Sequence, residues 1–223
     1  MSATRAVDEL VADVKPHLRG WLHTAAVPLC LIGGVLLLVF AHSTTARIGA
    51  GVYLAASLLL FGTSAVYHRG TWSPGTLAVL RRMDHSNIFV FIAATYTPLA
   101  LLLLDGTARV VCLSVVWGVA IAGVLFRVFW LSAPRWLYVA LYLGLGWAAV
   151  FWLPTMWRTG GPAVVILMGI GGLVYSLGAI AYARKRPNPS PRWFGFHEVF
   201  HLCTILAAGC HFAAIAIAVA HQV

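Results

Sequence analysis

Residues 196–202 read F-H-E-V-F-H-L, and His197-Glu198-Val199-Phe200-His201 within them matches H-E-x-x-H, the helix signature of zinc proteases. Histidines four residues apart project from one face of a helix and can grip a single metal ion. A catalytic zinc takes three protein ligands and keeps a fourth position for water, so a third donor must come from elsewhere. In the soluble zinc proteases it follows the motif, yet no acidic residue follows His201 and the extended pattern with a later glycine and histidine fails. Glu198 sits about 100° around the helix from the two histidines, which leaves it at most a supporting or proton-handling role.

Two other stretches carry residues of the right type. Ser64 and His68 repeat the four-residue spacing in S-A-V-Y-H (64–68), and Asp84 opens an apolar stretch in R-R-M-D-H (81–85). His68 with His197 and His201 completes a three-histidine set. Asp84 could then orient a ligand or hold an attacking water, and Ser64 could bond a substrate carbonyl. Simpler readings stand beside these. Asp84 could be a helix N-cap, Ser64 could bond back to its own helix, and His68 could bond a loop carbonyl. A serine-protease reading of F-G-T-S-A, with Ser64 as nucleophile, needs a free histidine, whereas three histidines nearby point to a metal.

These residues sit in a chain whose solvent is lipid. Of 223 residues 61% are hydrophobic and 9% charged, against roughly a quarter charged in soluble domains. The net charge of +9 comes from basic residues occurring singly or in short clusters between apolar runs. That distribution suits membrane orientation and anionic headgroups rather than nucleic acid. Cys30, Cys112, Cys203 and Cys210 all lie in apolar runs without C-x-x-C pairing and read as small buried hydrophobes; Cys203 is near enough the motif to be a soft ligand. The first apolar run is too long for the core of a signal peptide and fits a spanning helix.

A spanning helix needs about 20 apolar residues, and seven stretches qualify: 22–42, 48–68, 85–104, 109–130, 136–156, 162–183 and 195–219. H-R-G-T-W-S-P-G-T (68–76) and K-R-P-N-P-S-P-R-W (185–193) must break helices, because proline removes a donor and clashes with the preceding turn. The fold class expected is an all-α membrane protein, a seven-helix transmembrane bundle, with residues 1–21 as a tail that can form a short surface helix. With the N-terminus cytoplasmic and the C-terminus outside, the cytoplasmic side receives Arg5, Lys15, Arg19, Arg69, Arg81, Arg82, Arg127, Arg135, Arg184, Lys185, Arg186 and Arg192, and the outer side only Arg47, Arg109 and Arg158. Twelve against three is a strong positive-inside bias.

This topology puts His68, Asp84, His197 and His201 at one depth, near the inner leaflet. Ionisable groups within membrane helices face the bundle interior and find partners. The same topology puts Asp105 of Leu104-Asp105-Gly106 on the outer side, which removes the intramembrane-metalloprotease reading. His17, His23 and His42 read as tail and interface residues, and His85 points away from Asp84 around the helix. His211 lies roughly 15 Å deeper than His201.

S-A-V-Y-H (64–68), R-R-M-D-H-S-N-I-F-V-F-I-A-A-T-Y-T-P (81–98) and F-G-F-H-E-V-F-H-L (194–202) resemble the three signature blocks of the PAQR family, in particular its short bacterial haemolysin III-like group. Adiponectin receptors are animal relatives. The resemblance covers all seven spans and implies a zinc ion (Zn2+) near the cytoplasmic leaflet, with His68, His197 and His201 as ligands and Ser64 and Asp84 beside it. It also implies a bacterial plasma-membrane location, and relatives in the wider group hydrolyse lipid amides such as ceramide. The long N-terminal region of the animal receptors is missing, so their signalling partners do not carry over.

The reading favoured is a zinc-dependent intramembrane hydrolase of a lipid amide or ester, with Asp84 and Ser64 catalytic and a membrane lipid as substrate. A lipid-state sensor with structural zinc and a lytic factor are the alternatives. Small-residue runs such as G-I-G-G-L-V-Y-S-L-G-A (169–179) permit close helix packing, within the chain or in a homo-oligomer.

Overall fold

The computed structural model describes residues 16–221, which form seven α helices and no β strand longer than an isolated bridge between Ser190 and Phe194. The helices are α1 (Trp21–Phe40), α2 (Thr44–Arg69), α3 (Pro74–Leu103), α4 (Gly106–Phe129), α5 (Arg135–Trp147), α6 (Leu153–Arg184) and α7 (Phe196–Ala220). The tail helix expected before residue 16 lies outside the described residues. Six of the seven are long and apolar enough to cross a membrane; α5 is the exception. Large apolar side chains, among them Leu29, Ile32, Val39, Ile121, Leu173 and Leu206, face outward. An aqueous surface would penalise such a belt, and lipid accepts it. The chain is a multi-pass membrane protein.

The helices pack in chain order, α1 on α2, α2 on α3 and α3 on α4, then α5 on α6 and α6 on α7, and α7 closes the bundle against α1. In α3, 67% of the most apolar stretch is buried, against 22% in each of α1, α4 and α6. A helix apolar on all sides is buried on all sides, and α3 is the central one. The small-residue run of α6 is used within the chain: a side chain at Gly171 would strike His211 of α7, and one at Gly178 would strike Cys203.

Helix ends inside a membrane need internal partners for their free backbone groups. Ser43 caps α2 by accepting the Ala46 N–H at 3.1 Å, and Ser73 caps α3 through the Thr76 N–H at 3.3 Å, with Pro74 opening the helix. Helix α3 therefore starts ten residues before Asp84, and Asp84 is an interior residue of α3 rather than its N-cap.

The run at 136–156 was expected to be one span, but α5 stops at Trp147, passes through a 3-10 turn (Ala148–Phe151) and gives way to α6 at Leu153. Pro154 lacks the N–H a continuous helix would use and clashes with the preceding turn, so it sits in the first turn of a new helix. Tyr96 of α3 satisfies the broken end: its hydroxyl lies 2.7 Å from the Gly146 carbonyl and accepts the Ala149 N–H at 2.6 Å. Helix α6 begins nine residues before the expected 162 and bends at Gly161, whose φ of 80° and ψ of 171° only glycine adopts without strain. Pro162 drives that bend.

One end of the bundle gathers the α2–α3 connection, the α4–α5 and α6–α7 loops and the segment before α1. The His17 N–H donates to the Arg192 carbonyl at 2.9 Å, Arg82 to the Val128 carbonyl at 3.2 Å, and Arg135 to the Tyr182 carbonyl at 3.1 Å.

Candidate metal centre

At this end His68 occupies the last turn of α2, with Ser64 one turn earlier, and α7 begins at Phe196, so His197 and His201 fall in its first two turns. The three histidines offer nitrogen donors that all lie within 4.8 Å of one another. Their ring centroids are 4.8 Å apart for His68 and His197, 5.1 Å for His68 and His201, and 4.6 Å for His197 and His201. A zinc–imidazole bond of about 2.0–2.1 Å needs these donors drawn in by roughly 1.5 Å, a matter of small side-chain rotations. The Nδ1 of His201 is buried without a hydrogen-bond partner. Such an atom is costly unless something binds it, and three convergent imidazoles are the donor set of a tetrahedral ion with one open position. The residues fit a metal ion.

Asp84, which α3 holds against α2, completes the polar surround. Its Oδ2 lies 4.0 Å from His68 Nε2 and 3.8 Å from His85 Nδ1. Ser64 is 1% exposed and faces the Asp84 carboxyl. Ser57, Thr95, Thr97, Ser176 and Thr204 each donate to the carbonyl four residues earlier, whereas the Ser64 hydroxyl bonds the Asp84 carboxyl. His85, read as turned away from Asp84, instead borders the same small cavity of about 40 Å³ that Ser64, Asp84, His197 and His201 line. Its Nδ1 is held by the Arg81 carbonyl at 2.8 Å.

Glu198 has a role that spacing could not disclose. Its side chain is fully enclosed, Oε1 accepts a hydrogen bond from Arg19 Nε, and Oε2 accepts the Gly195 N–H at 2.8 Å. The acid of H-E-x-x-H is thus a cap on α7 and an anchor for the segment ahead of α1. That segment is pinned further: Leu18 N–H donates to the Trp193 carbonyl at 3.3 Å, the Arg69 guanidinium lies 3.6 Å over the Trp21 ring, and Gly20 packs against His68 with φ 84°. A Cβ at Gly20 would stand 2.8 Å from the His68 Cβ.

This close start to α1 places His23 differently from the interface position expected. It is 3% exposed and stacks on His201, ring centroids 3.7 Å apart and planes 15° apart. Nothing in its spacing marks it, because its burial follows from the packing of α1 on α7. Cys203 contacts Gly178 and stands outside the histidine group, and all four cysteines are free. Asp105 at the far end pairs with Arg109 at 2.9 Å.

A second cavity, of about 120 Å³ and almost wholly apolar, adjoins the first: Leu60, Ile88, Tyr142, Ala179, Phe200 and Thr204 border both. It runs between α3, α5, α6 and α7 to His211, whose Nε2 meets the Met168 carbonyl at 3.3 Å.

A multi-pass helical membrane protein with three histidines converging at one end of its bundle, beside an apolar cavity, is the class these observations define. The chain belongs to the haemolysin-III-related family, within the PAQR group: residues 12–212 match the family model. It is 31% identical over 178 residues to a haemolysin-3 homologue of Bacillus subtilis, covering 78% of this chain and 83% of that one. It is 27% identical to haemolysin-3 of Bacillus cereus, with 86% and 87% covered. The human monocyte to macrophage differentiation factor is 24% identical over 199 residues, with 87% and 80% covered.

Proposed function

We propose that this protein is a zinc-dependent hydrolase that cleaves an amide or ester of a membrane lipid inside the bilayer. One observation carries the reading: the histidine cluster with Asp84 and Ser64 lies beside an apolar cavity with which its own small cavity shares walls. That arrangement suits a lipid chain beside a polar reaction centre. Seven crossings are proposed with it, α5 and its 3-10 turn spanning a locally thinned bilayer, and the N-terminus cytoplasmic by the positive-inside bias. The site then lies near the inner leaflet of a bacterial plasma membrane.

His68, His197 and His201 would hold the ion. Bound there, zinc would supply Lewis acidity for a water and a carbonyl. The Asp84 carboxylate takes the proton from the attacking water and passes it to the leaving amine or alcohol. Ser64, one turn from His68, donates its single hydroxyl proton to the Asp84 carboxylate until that group takes the proton of the water, and then turns it to the carbonyl oxygen as charge develops there. The apolar cavity binds the acyl chain, excludes bulk water and aligns the carbonyl with these groups.

Two of the relatives carry haemolysin in their names, which makes lysis the reading to compare. A pore needs a continuous polar path, and the apolar lining of the larger cavity favours a hydrolase. The test is metal content by elemental mass spectrometry together with turnover of a panel of ceramides and lipid esters by Asp84→Asn and wild-type protein. About one zinc per chain in both, with turnover lost in Asp84→Asn, supports the reading. Equal turnover by the variant refutes it, and zinc without turnover in the wild type favours a structural ion in a lipid sensor.

A further inference from the structure

His23 is a histidine at this end that the metal reading leaves unused. It sits in the first turn of α1, a helix most of whose residues face outward, yet it is 3% exposed. Neither ring nitrogen has a hydrogen-bond partner of normal geometry, although the ring lies close to the His201 backbone. Buried polar atoms without partners are costly, and a phenylalanine would fill the same space without that cost. The ring is also tightly placed. One face stacks on His201 at 3.7 Å and 15°, and Phe61 meets it edge-on, centroids 5.0 Å apart and planes at 85°. Its backbone is fixed three residues earlier, where Gly20 packs on His68, and four residues earlier, where Arg19 binds Glu198.

We propose that His23 is a positioning residue of the metal centre, acting through the face of its ring on the ligand His201. The inference rests on the metal reading above. His201 is held on its helix by one pair of rotatable bonds, so the tilt of its ring is set by what lies against it. Ligand histidines are ordinarily oriented by a hydrogen bond to the second nitrogen. Here the stacked ring of His23 bears on the face of the His201 ring and sets its tilt, with Phe61 holding His23 from the side. The contact gains strength on metal binding, because an ion draws electron density from the His201 ring and an electron-rich π face lies against it. The arrangement also ties α1 to the metal: loading the centre stiffens the α1–α7 contact, and loosening α1 weakens the centre.

The test is zinc affinity of the full-length protein in detergent, by competition with a chromogenic chelator, for His23→Phe, His23→Leu and His23→Ala. His23→Phe keeps a stacking face and removes both nitrogens, and it is expected to bind zinc within about threefold of wild type. His23→Leu fills the space without a π face, and it and His23→Ala are expected to lose 10- to 100-fold, the usual effect of removing a group that orients a metal ligand. Cobalt(II) loaded in place of zinc gives a second readout: its visible bands stay unchanged in His23→Phe and shift in His23→Leu. Unchanged affinity in His23→Leu overturns the proposal, as does a His23→Phe protein as weak as His23→Ala, which would transfer the role to the nitrogens. Melting of the zinc-stripped proteins separates folding from binding, since His23→Leu should melt with the wild type once the metal is removed. Wild-type protein that binds no zinc, or binds it equally after His68→Ala, would instead remove the metal reading itself.

Discussion

Replacing Arg19 by alanine should be far more damaging than its place ahead of the first helix suggests. The side chain of Arg19 is 16% exposed, whereas that of Glu198 is 0% exposed and keeps only the Gly195 N–H once the guanidinium is gone. Removing one partner of a buried ion pair costs about 3–5 kcal/mol, because the other charge is left uncompensated. For a chain of this size each kcal/mol lowers the melting temperature by about 2–4 °C, so Arg19→Ala should melt roughly 6–20 °C below wild type. Glu198→Gln is milder, about 1–2 kcal/mol, since the amide still accepts the Gly195 N–H and the freed arginine can reach water. In Arg19→Ala/Glu198→Gln the buried charge is absent, and the double variant should be less destabilised than the sum of the singles, by at least about 1 kcal/mol. The assay is thermal unfolding in one detergent, followed by a thiol-reactive dye, with zinc and with a chelator. A general base in a protease-type motif would give the opposite pattern, with Glu198→Gln neutral for stability. Melting of Arg19→Ala within 2 °C of wild type, or strict additivity in the double variant, refutes the reasoning.

Two further outcomes follow from packing. Gly178→Ala places a Cβ 2.6 Å from the Cys203 Cβ and should cost about 1–3 kcal/mol; Cys203→Gly on the other helix should restore most of the lost melting temperature, and no restoration would mean that the two helices do not meet there. Tyr96→Phe removes the hydroxyl that serves Gly146 and Ala149 at the broken end of α5 and should cost about 1–3 kcal/mol, with hydrogen exchange rising at residues 146–149 and not in α2.

The spans at 22–42, 48–68, 109–130 and 195–219 differ from the helices by a few residues, because about twenty apolar residues between polar breakers admit one solution in lipid. Hydropathy failed where a helix and its break are equally apolar. Ala148 to Phe151 contains no polar residue, so only Pro154 signalled that the helix must end. Helix α3 erred the other way: its first turns, with Arg81 and Arg82, are too polar to read as membrane and yet continue the helix from Ser73. At the site, the four-residue spacings of His197 and His201 and of Ser64 and His68 were legible, since periodicity alone puts each pair on one face. Glu198 and His23 were not. The partner of Glu198 is 179 residues away, and the burial of His23 is decided by the glycine that lets α1 start against His68.

Those two residues change how the centre is understood. Read from sequence, it is a meeting of α2, α3 and α7, with His23 on α1 a tail or interface residue. The contacts make α1 a working part: Arg19 holds the first turn of α7 through Glu198, Gly20 sets the distance to His68, and His23 lies on His201. Two of the three histidine donors are therefore held by the segment at residues 19–23 as well as by their own helix. A metal centre built this way depends on a helix that contributes no ligand. Substitutions around residue 20 should consequently report on metal affinity more faithfully than substitutions in the lipid-facing remainder of α1, where Leu29, Ile32 and Val39 meet nothing but the bilayer.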